Sequence, residues 1–366
     1  MSSPTALPTS EVARRFEEQT TLAAWGAAAL GLLFGLISFG GEARPIAAHA
    51  GELDVTQPAA GTASLITAAA FLLSTLLHRR HETRAMPGWQ RAVSHISTAM
   101  LTVVFGAVAF MAVLTAGEIL ALGLQGFVPA PIAAALLTAI ASAAGSWLAF
   151  QAGIELRTRN LTQLLFGYLT IGTLFAMITA ADPLWWQLHF SSLGNAWAFN
   201  LTVIVAGLLV AAVGLYIGRD LHRWMGDSRL KAIGIVVVLF TATGAALAGV
   251  GVFPVATASV AHNIAAIGTL CLFAAAALAV TIVMPGPTPM MTLTTVGAGI
   301  ALVTAVLLWR PFGVYNLAGL EVIVVGIIFV WLTTLVRTIG ASAPEQTRAS
   351  ARTRLLQATK RTRTQT

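Results

Sequence analysis

An all-α, polytopic transmembrane bundle of about ten spans is predicted by three properties of this 366-residue sequence. Hydrophobic residues make up 57% of it and charged residues only 10%, whereas a soluble domain carries about 25% charged residues. The apolar residues fall in continuous runs rich in Ala, Leu and Gly, of the roughly 20-residue length that crosses a bilayer as a helix. A membrane β-barrel would need alternating apolar and polar residues instead. Finally, of the 21 Lys and Arg residues, all but Arg44 and Arg310 lie in alternate segments outside the runs, when residues from Arg337 on are counted with the C-terminal segment. Short loops rich in positive charge resist translocation, so those segments are expected to be cytoplasmic, with both chain ends on that side.

The runs are taken in chain order. Residues 1–20 are polar and include Glu11, Glu17 and Glu18, unlike the positive start of a cleavable signal peptide. The first span, 21–40, is therefore expected to be a retained anchor. The next spans are 62–78, 93–115 and 131–154, separated by the basic gap 78–92 and the long gaps 41–61 and 116–130. The latter is apolar and holds Pro129, which suits a segment along the interface. The basic gap 155–160 leads to span 161–181. Trp185 and Trp186 follow, where an aromatic belt sits. Spans 197–217 and 232–252 flank the basic gap 218–231. Gly244, Ala248 and Gly251 predict close helix packing in the latter span. Spans 262–284 and 290–309 are separated by Pro285, Pro287 and Pro289, which cannot continue a helix. The last span is 316–338. The organisation expected is a cytoplasmic segment 1–20, a four-span unit 21–160, a six-span unit 161–339, and a basic tail 340–366 without fixed structure.

Composition excludes several classes. The net charge of +7 is mostly topological signal and tail, so nucleic acid is not an expected partner. Membrane lipids are, since a basic tail is attracted to anionic lipid at about 1 kcal/mol per nearby charge. The single cysteine, Cys271, lies in an apolar run and reads as a small buried residue. No Walker loop or dinucleotide fingerprint occurs, and no cofactor is implied. The abundance of Arg over Lys, together with Ala, suggests a GC-rich bacterial genome, and hence a bacterial plasma membrane.

Ionisable groups at membrane depth are costly and mark candidate sites. By the topology above, His189, Ser191, Ser192, His262, Arg310, Asn316 and Glu321 gather at the outer edge of the last six spans and are the ligand-binding candidates. Glu321 lies about five residues into its span, and Arg310 is its nearest candidate partner. Ser191, His262 and Glu321 have the composition of a nucleophile, base and orienting group, although composition leaves their contact open. His49, His189 and His262 with Asp182 or Glu321 would suit zinc. None has His-x-x-x-His spacing, and no metal is expected.

From about Leu161 to Ile339 the sequence resembles a bacterial membrane family known as domain of unknown function 998. The residues that carry the resemblance are His189-Phe-Ser-Ser-Leu-Gly194, Ala206-Gly-Leu-Leu, Gly249-Val-Gly-Val-Phe-Pro254, His262, Gly319-Leu-Glu321 and Trp331. The resemblance implies a six-span bundle in which Ser191, Leu193, Gly194, Pro254, His262 and Glu321 occupy motif positions. Ser192 stands where the family often has an acidic residue, and Val322 where an arginine follows the glutamate. The layout is also similar to eukaryotic six-span proteins of lipid-anchor remodelling, an analogy at the level of fold only.

Three functions follow as expectations. The first is a plasma-membrane protein that binds or handles a lipid or lipid-linked group at the outer leaflet without catalysis. The second is a membrane-embedded hydrolase or transferase using Ser191 and His262. The third is a proton-coupled transporter using Glu321. The third ranks lowest because the middles of the last six spans are almost purely apolar, with Thr243 and Thr269 the main exceptions.

Overall fold

A computed structural model describes residues 9–47, 52–78, 81–82, 88–195, 197–284, 289–342 and 347–348. Ten α-helices lie among them: α1 (Thr9–Phe39), α2 (Thr56–Leu77), α3 (Gly88–Gly123), α4 (Pro131–Ile154), α5 (Thr158–Ile178), α6 (Trp197–Met225), α7 (Leu230–Val252), α8 (Val255–Val283), α9 (Pro289–Trp309) and α10 (Leu317–Ser342). A two-residue antiparallel ladder, β1 (His81–Glu82) with β2 (Thr347–Arg348), is too short to change the class. Among the described residues, nine helical stretches are long and apolar enough to cross a membrane. One of them, Trp197–Val252, joins α6 and α7 through a short 3-10 turn, so the ten expected spans become nine such stretches. The chain is an all-helical, multi-pass membrane protein.

The chain divides into two compact units, 1–83 with 102–156 and 347–366, and 84–101 with 157–346. In the first, α4 is the central helix, packed on both α1 and α2. Small residues make the approach possible. A Cβ on Gly31 would meet the Ser142 side chain, and one on Gly35 would lie 2.7 Å from the Ala135 backbone. Gly145 faces Thr67 and Gly153 faces Ser74 in the same way. The Ser74 hydroxyl donates to the Phe150 carbonyl at 2.6 Å, which ties α2 to α4. Pro131 opens α4 at its first position, where the missing N–H costs nothing.

In the second unit α6 and α7 form an antiparallel pair. Gly226, with φ of 66°, turns the chain between them, a backbone conformation that only glycine adopts freely. At the crossing a Cβ on Gly207 would overlap the Gly244 carbonyl, and one on Gly244 would overlap the Gly207 carbonyl. Gly251 lies equally close to the Asn200 carbonyl. The small residues of α7 thus serve close packing, as the sequence predicts. Around this pair α8 packs on α7, and α5 and α9 pack on α10. At the far end of α6, Asp220 accepts from Thr158, and the Arg219 and Arg223 guanidiniums each lie 3.4 Å from it. His222 meets Asp227 at 2.8 Å.

Several expectations are corrected. Helix α3 continues to Gly123, so the gap 116–130 shortens to a turn and a short extended stretch. The gap 218–231 is largely helical, since α6 runs on to Met225. Cys271 is exposed on α8, and in a membrane a surface-facing thiol meets lipid as readily as core. The two Trp residues divide, with Trp185 buried and Trp186 exposed. The Pro-rich turn at 285–288, His49 and nearly all of the basic tail lie outside the described residues.

Candidate functional site

After α5 the chain makes two short 3-10 turns, Trp185–Gln187 and Phe190–Asn195. The second carries Ser191 and is here called the serine turn. Its shape is held from within by Ser192, whose hydroxyl donates to the Trp185 carbonyl at 3.1 Å and the His189 carbonyl at 2.5 Å. From α6, Asn200 donates its side-chain amide to the Gly194 carbonyl at 2.9 Å. A Cβ at Gly194 would lie 2.9 Å from that Asn200 side chain, so a larger residue there would push the amide aside. Ser192 and Asn200 are therefore spent on the turn itself.

Ser191 faces His262. Its hydroxyl lies 2.9 Å from His262 Nε2, and the imidazole is buried. The other ring nitrogen, Nδ1, lies 2.9 Å from the Phe253 carbonyl and 3.1 Å from the Val250 carbonyl. Carbonyls only accept, so Nδ1 carries the proton and Nε2 accepts from the serine hydroxyl.

The sequence explains why these carbonyls are available. In a continuing helix the Val250 carbonyl would receive the N–H of residue 254, but Pro254 has none. Phe253, preceding proline, leaves the helical region at φ −110° and ψ 83°, as its position demands. Both carbonyls are thus orphaned at the end of α7. The chain re-enters a helix at Val255, kinks at Ala258, and brings His262 back onto them.

Glu321 occupies the first turns of α10. Its Oε2 accepts the Phe190 N–H at 2.6 Å, one residue before Ser191. The imidazoles of both His189 and His262 lie within electrostatic range of this carboxylate. Asn316 caps α10 by accepting the Gly319 N–H at 3.0 Å and donates to the Trp186 carbonyl at 2.6 Å. The start of α10 is therefore tied to both 3-10 turns. A carboxylate there also complements the positive end of the helix.

The structure brings Ser191, His262 and Glu321 to one place but not in the expected order. Glu321 binds the backbone of the serine turn, while two carbonyls take the role of the group that orients the histidine. The carbonyl pair has a signal in the sequence: Pro254 with a histidine eight residues on, both at motif positions of the family resemblance. Arg310 is exposed and lies over the Trp309 ring at 5.3 Å from its centre. It forms no ion pair with Glu321 among the described residues. His262 does not open α8 but lies inside it, beyond the kink. Among the described residues no three His, Cys, Asp or Glu side chains come together as a metal site.

No curated protein and no solved structure matches the chain. Residues 167–338 match the profile of one family, and the serine turn, the Pro254–His262 segment and Glu321 all fall within that range. Over that C-terminal stretch this membrane protein accordingly matches the family described as "Protein of unknown function (DUF998)".

Proposed function

We propose that the protein is a membrane-embedded hydrolase or transferase that acts on an ester-linked acyl group of a lipid or lipid-linked molecule at the outer leaflet of a bacterial plasma membrane. The observation that carries this reading is the hydrogen bond from Ser191 to a histidine held in a single tautomer. A serine hydroxyl is a weak nucleophile until an adjacent base accepts its proton, and His262 Nε2 has its lone pair aimed at that hydroxyl.

In the reaction, Ser191 Oγ attacks the ester carbonyl carbon as its proton passes to His262 Nε2. The carbon–oxygen bond to the leaving alcohol then breaks, and that oxygen takes the proton from His262. Water or an acceptor hydroxyl attacks the acyl-serine and loses its proton to His262; the bond from the acyl carbon to Ser191 Oγ breaks, and Oγ takes that proton back from Nε2, which restores both residues. The Val250 and Phe253 carbonyls hold the imidazole in orientation throughout, as an acidic residue does in the better-known arrangement.

Lipid is favoured as the substrate by the setting. Ser191, His262 and Glu321 lie near the ends of apolar helices. Trp186, Leu188 and Trp197, on and beside the serine turn, are exposed, as suits the membrane interface. The distribution of positive charge supports the outer side for this site and cytoplasmic termini.

The test is labelling of the purified protein with a fluorophosphonate probe. Labelling is expected in the wild type and in Ser192→Ala, and is expected to be lost in Ser191→Ala and in His262→Ala. An unlabelled wild type would sink the catalytic reading. It would leave the non-catalytic alternative, in which the same groups hold a lipid headgroup. Native mass spectrometry then checks that alternative, which fails if no lipid is retained.

A further inference from the structure

The serine turn is held to the rest of its unit by few side chains. His262 meets the Ser191 side chain, which fixes a hydroxyl but not the backbone that carries it. At the start of the turn the Phe190 N–H donates to Glu321 on α10. The first N–H groups of any helical turn lack partners within it, and a buried one left unpaired costs about 1–3 kcal/mol. Four residues earlier, the Trp186 carbonyl receives the Asn316 amide. Glu321 and Asn316 sit on the same first turns of α10. One accepts and the other donates, so the segment 186–190 is gripped at two points of opposite polarity. A carboxylate receiving an N–H makes the stronger, charge-assisted kind of hydrogen bond.

We propose that Glu321 is a positioning residue: by accepting the Phe190 N–H it holds the serine turn on α10, with Asn316 as the second tie, and so sets the Ser191–His262 contact. Its importance for the reaction rests on the catalytic reading above, but the positioning itself does not. Glutamine keeps an acceptor oxygen at the same reach, whereas alanine removes it. The two substitutions separate a hydrogen bond from a charge.

The experiment places a nitroxide on Leu188→Cys, an exposed position between the two 3-10 turns, in the full chain with Cys271→Ala. With Glu321 present the spectrum is expected to be broad, that of an immobilised label. Glu321→Ala is expected to narrow it, and Glu321→Gln to restore most of the breadth. Asn316→Asp, which keeps the cap but loses the donor to Trp186, is expected to narrow it partly. An unchanged spectrum in Glu321→Ala overturns the proposal. So does a Glu321→Gln spectrum as narrow as that of alanine, since charge and not the hydrogen bond would then hold the turn.

Probe labelling of Ser191 supplies the functional arm. Glu321→Ala is expected to slow it at least about tenfold, in line with the cost of misplacing a reacting group, and Glu321→Gln to recover most of the rate. If the wild type takes no label while the nitroxide series behaves as stated, the catalytic reading falls and the positioning role stands. If the wild type labels and Glu321→Ala labels equally fast, the positioning role falls and the catalytic reading stands.

Discussion

At Val250 a missing proton decides the chemistry nearby. Its carbonyl is free for His262 because residue 254 is proline, and that carbonyl helps choose the tautomer that lets Nε2 face Ser191. Pro254→Ala restores an N–H and relaxes the restriction on Phe253, so α7 can extend and recapture the carbonyl. Probe labelling of Ser191 is expected to fall several-fold in this variant, with the Phe253 carbonyl remaining as a partner. Equal labelling would mean that Phe253 alone orients the ring. At this scale the residues were more legible than their relations. Ser191, His262 and Glu321 stood out because polar groups at membrane depth are costly. Which atom each would touch depends on the two 3-10 turns and the Ala258 kink, and neither leaves a periodic pattern to read. Arg310 shows the limit of pairing by charge and depth alone. Its guanidinium covers the ring of the preceding residue, Trp309, an interaction also open to an exposed arginine.

The apolar middles of the helices were legible from hydropathy, but their ends were not: α1 starts at Thr9 where 21 was expected, and α8 at Val255 where 262 was expected. What hydropathy misses is where a helix continues past the apolar run. Helix α6 carries Arg219, Asp220 and Arg223 in its last turns, and those charges read as a loop although they pair within the helix and with Thr158. The threonines within spans were read more securely. Thr243 and Thr269 each donate to the carbonyl four residues back, at 2.8 Å, which satisfies the hydroxyl without a ligand. That weakens a transport pathway through the middle of these helices. The α6–α7 crossing yields its own prediction. Gly244→Leu places a side chain against the Gly207 carbonyl, and overpacking of this kind costs about 1–3 kcal/mol or more. Thermal unfolding in detergent is expected at a clearly lower temperature. Gly234→Ala on the same helix is the control: a Cβ there meets nothing within 4 Å, and helix propensity favours alanine by about 1 kcal/mol, so its unfolding temperature is expected to hold or rise.

For the whole molecule, the side of the membrane on which the serine turn lies decides what it can meet. The distribution of Lys and Arg puts 182–196 and 310–315 opposite the gap 218–231, which holds Arg219, Arg223, Arg229 and Lys231. In the structure the serine turn precedes the start of α6 and the Arg219–Arg223 group lies at its end. A 29-residue helix rises about 1.5 Å per residue and so separates them by more than the hydrocarbon thickness of about 30 Å. With Cys271 replaced by alanine, single cysteines are placed at the exposed positions Asp182, Phe312 and Ser228. A membrane-impermeant maleimide added to intact cells is expected to label Asp182→Cys and Phe312→Cys, and to label Ser228→Cys only after the membrane is opened. The opposite pattern would move the serine turn to the cytoplasmic leaflet and exclude any lipid found only outside. Because α6 is long enough to cross the full thickness, labelling of both Asp182→Cys and Ser228→Cys in intact cells would contradict a membrane-crossing α6 and not merely its orientation.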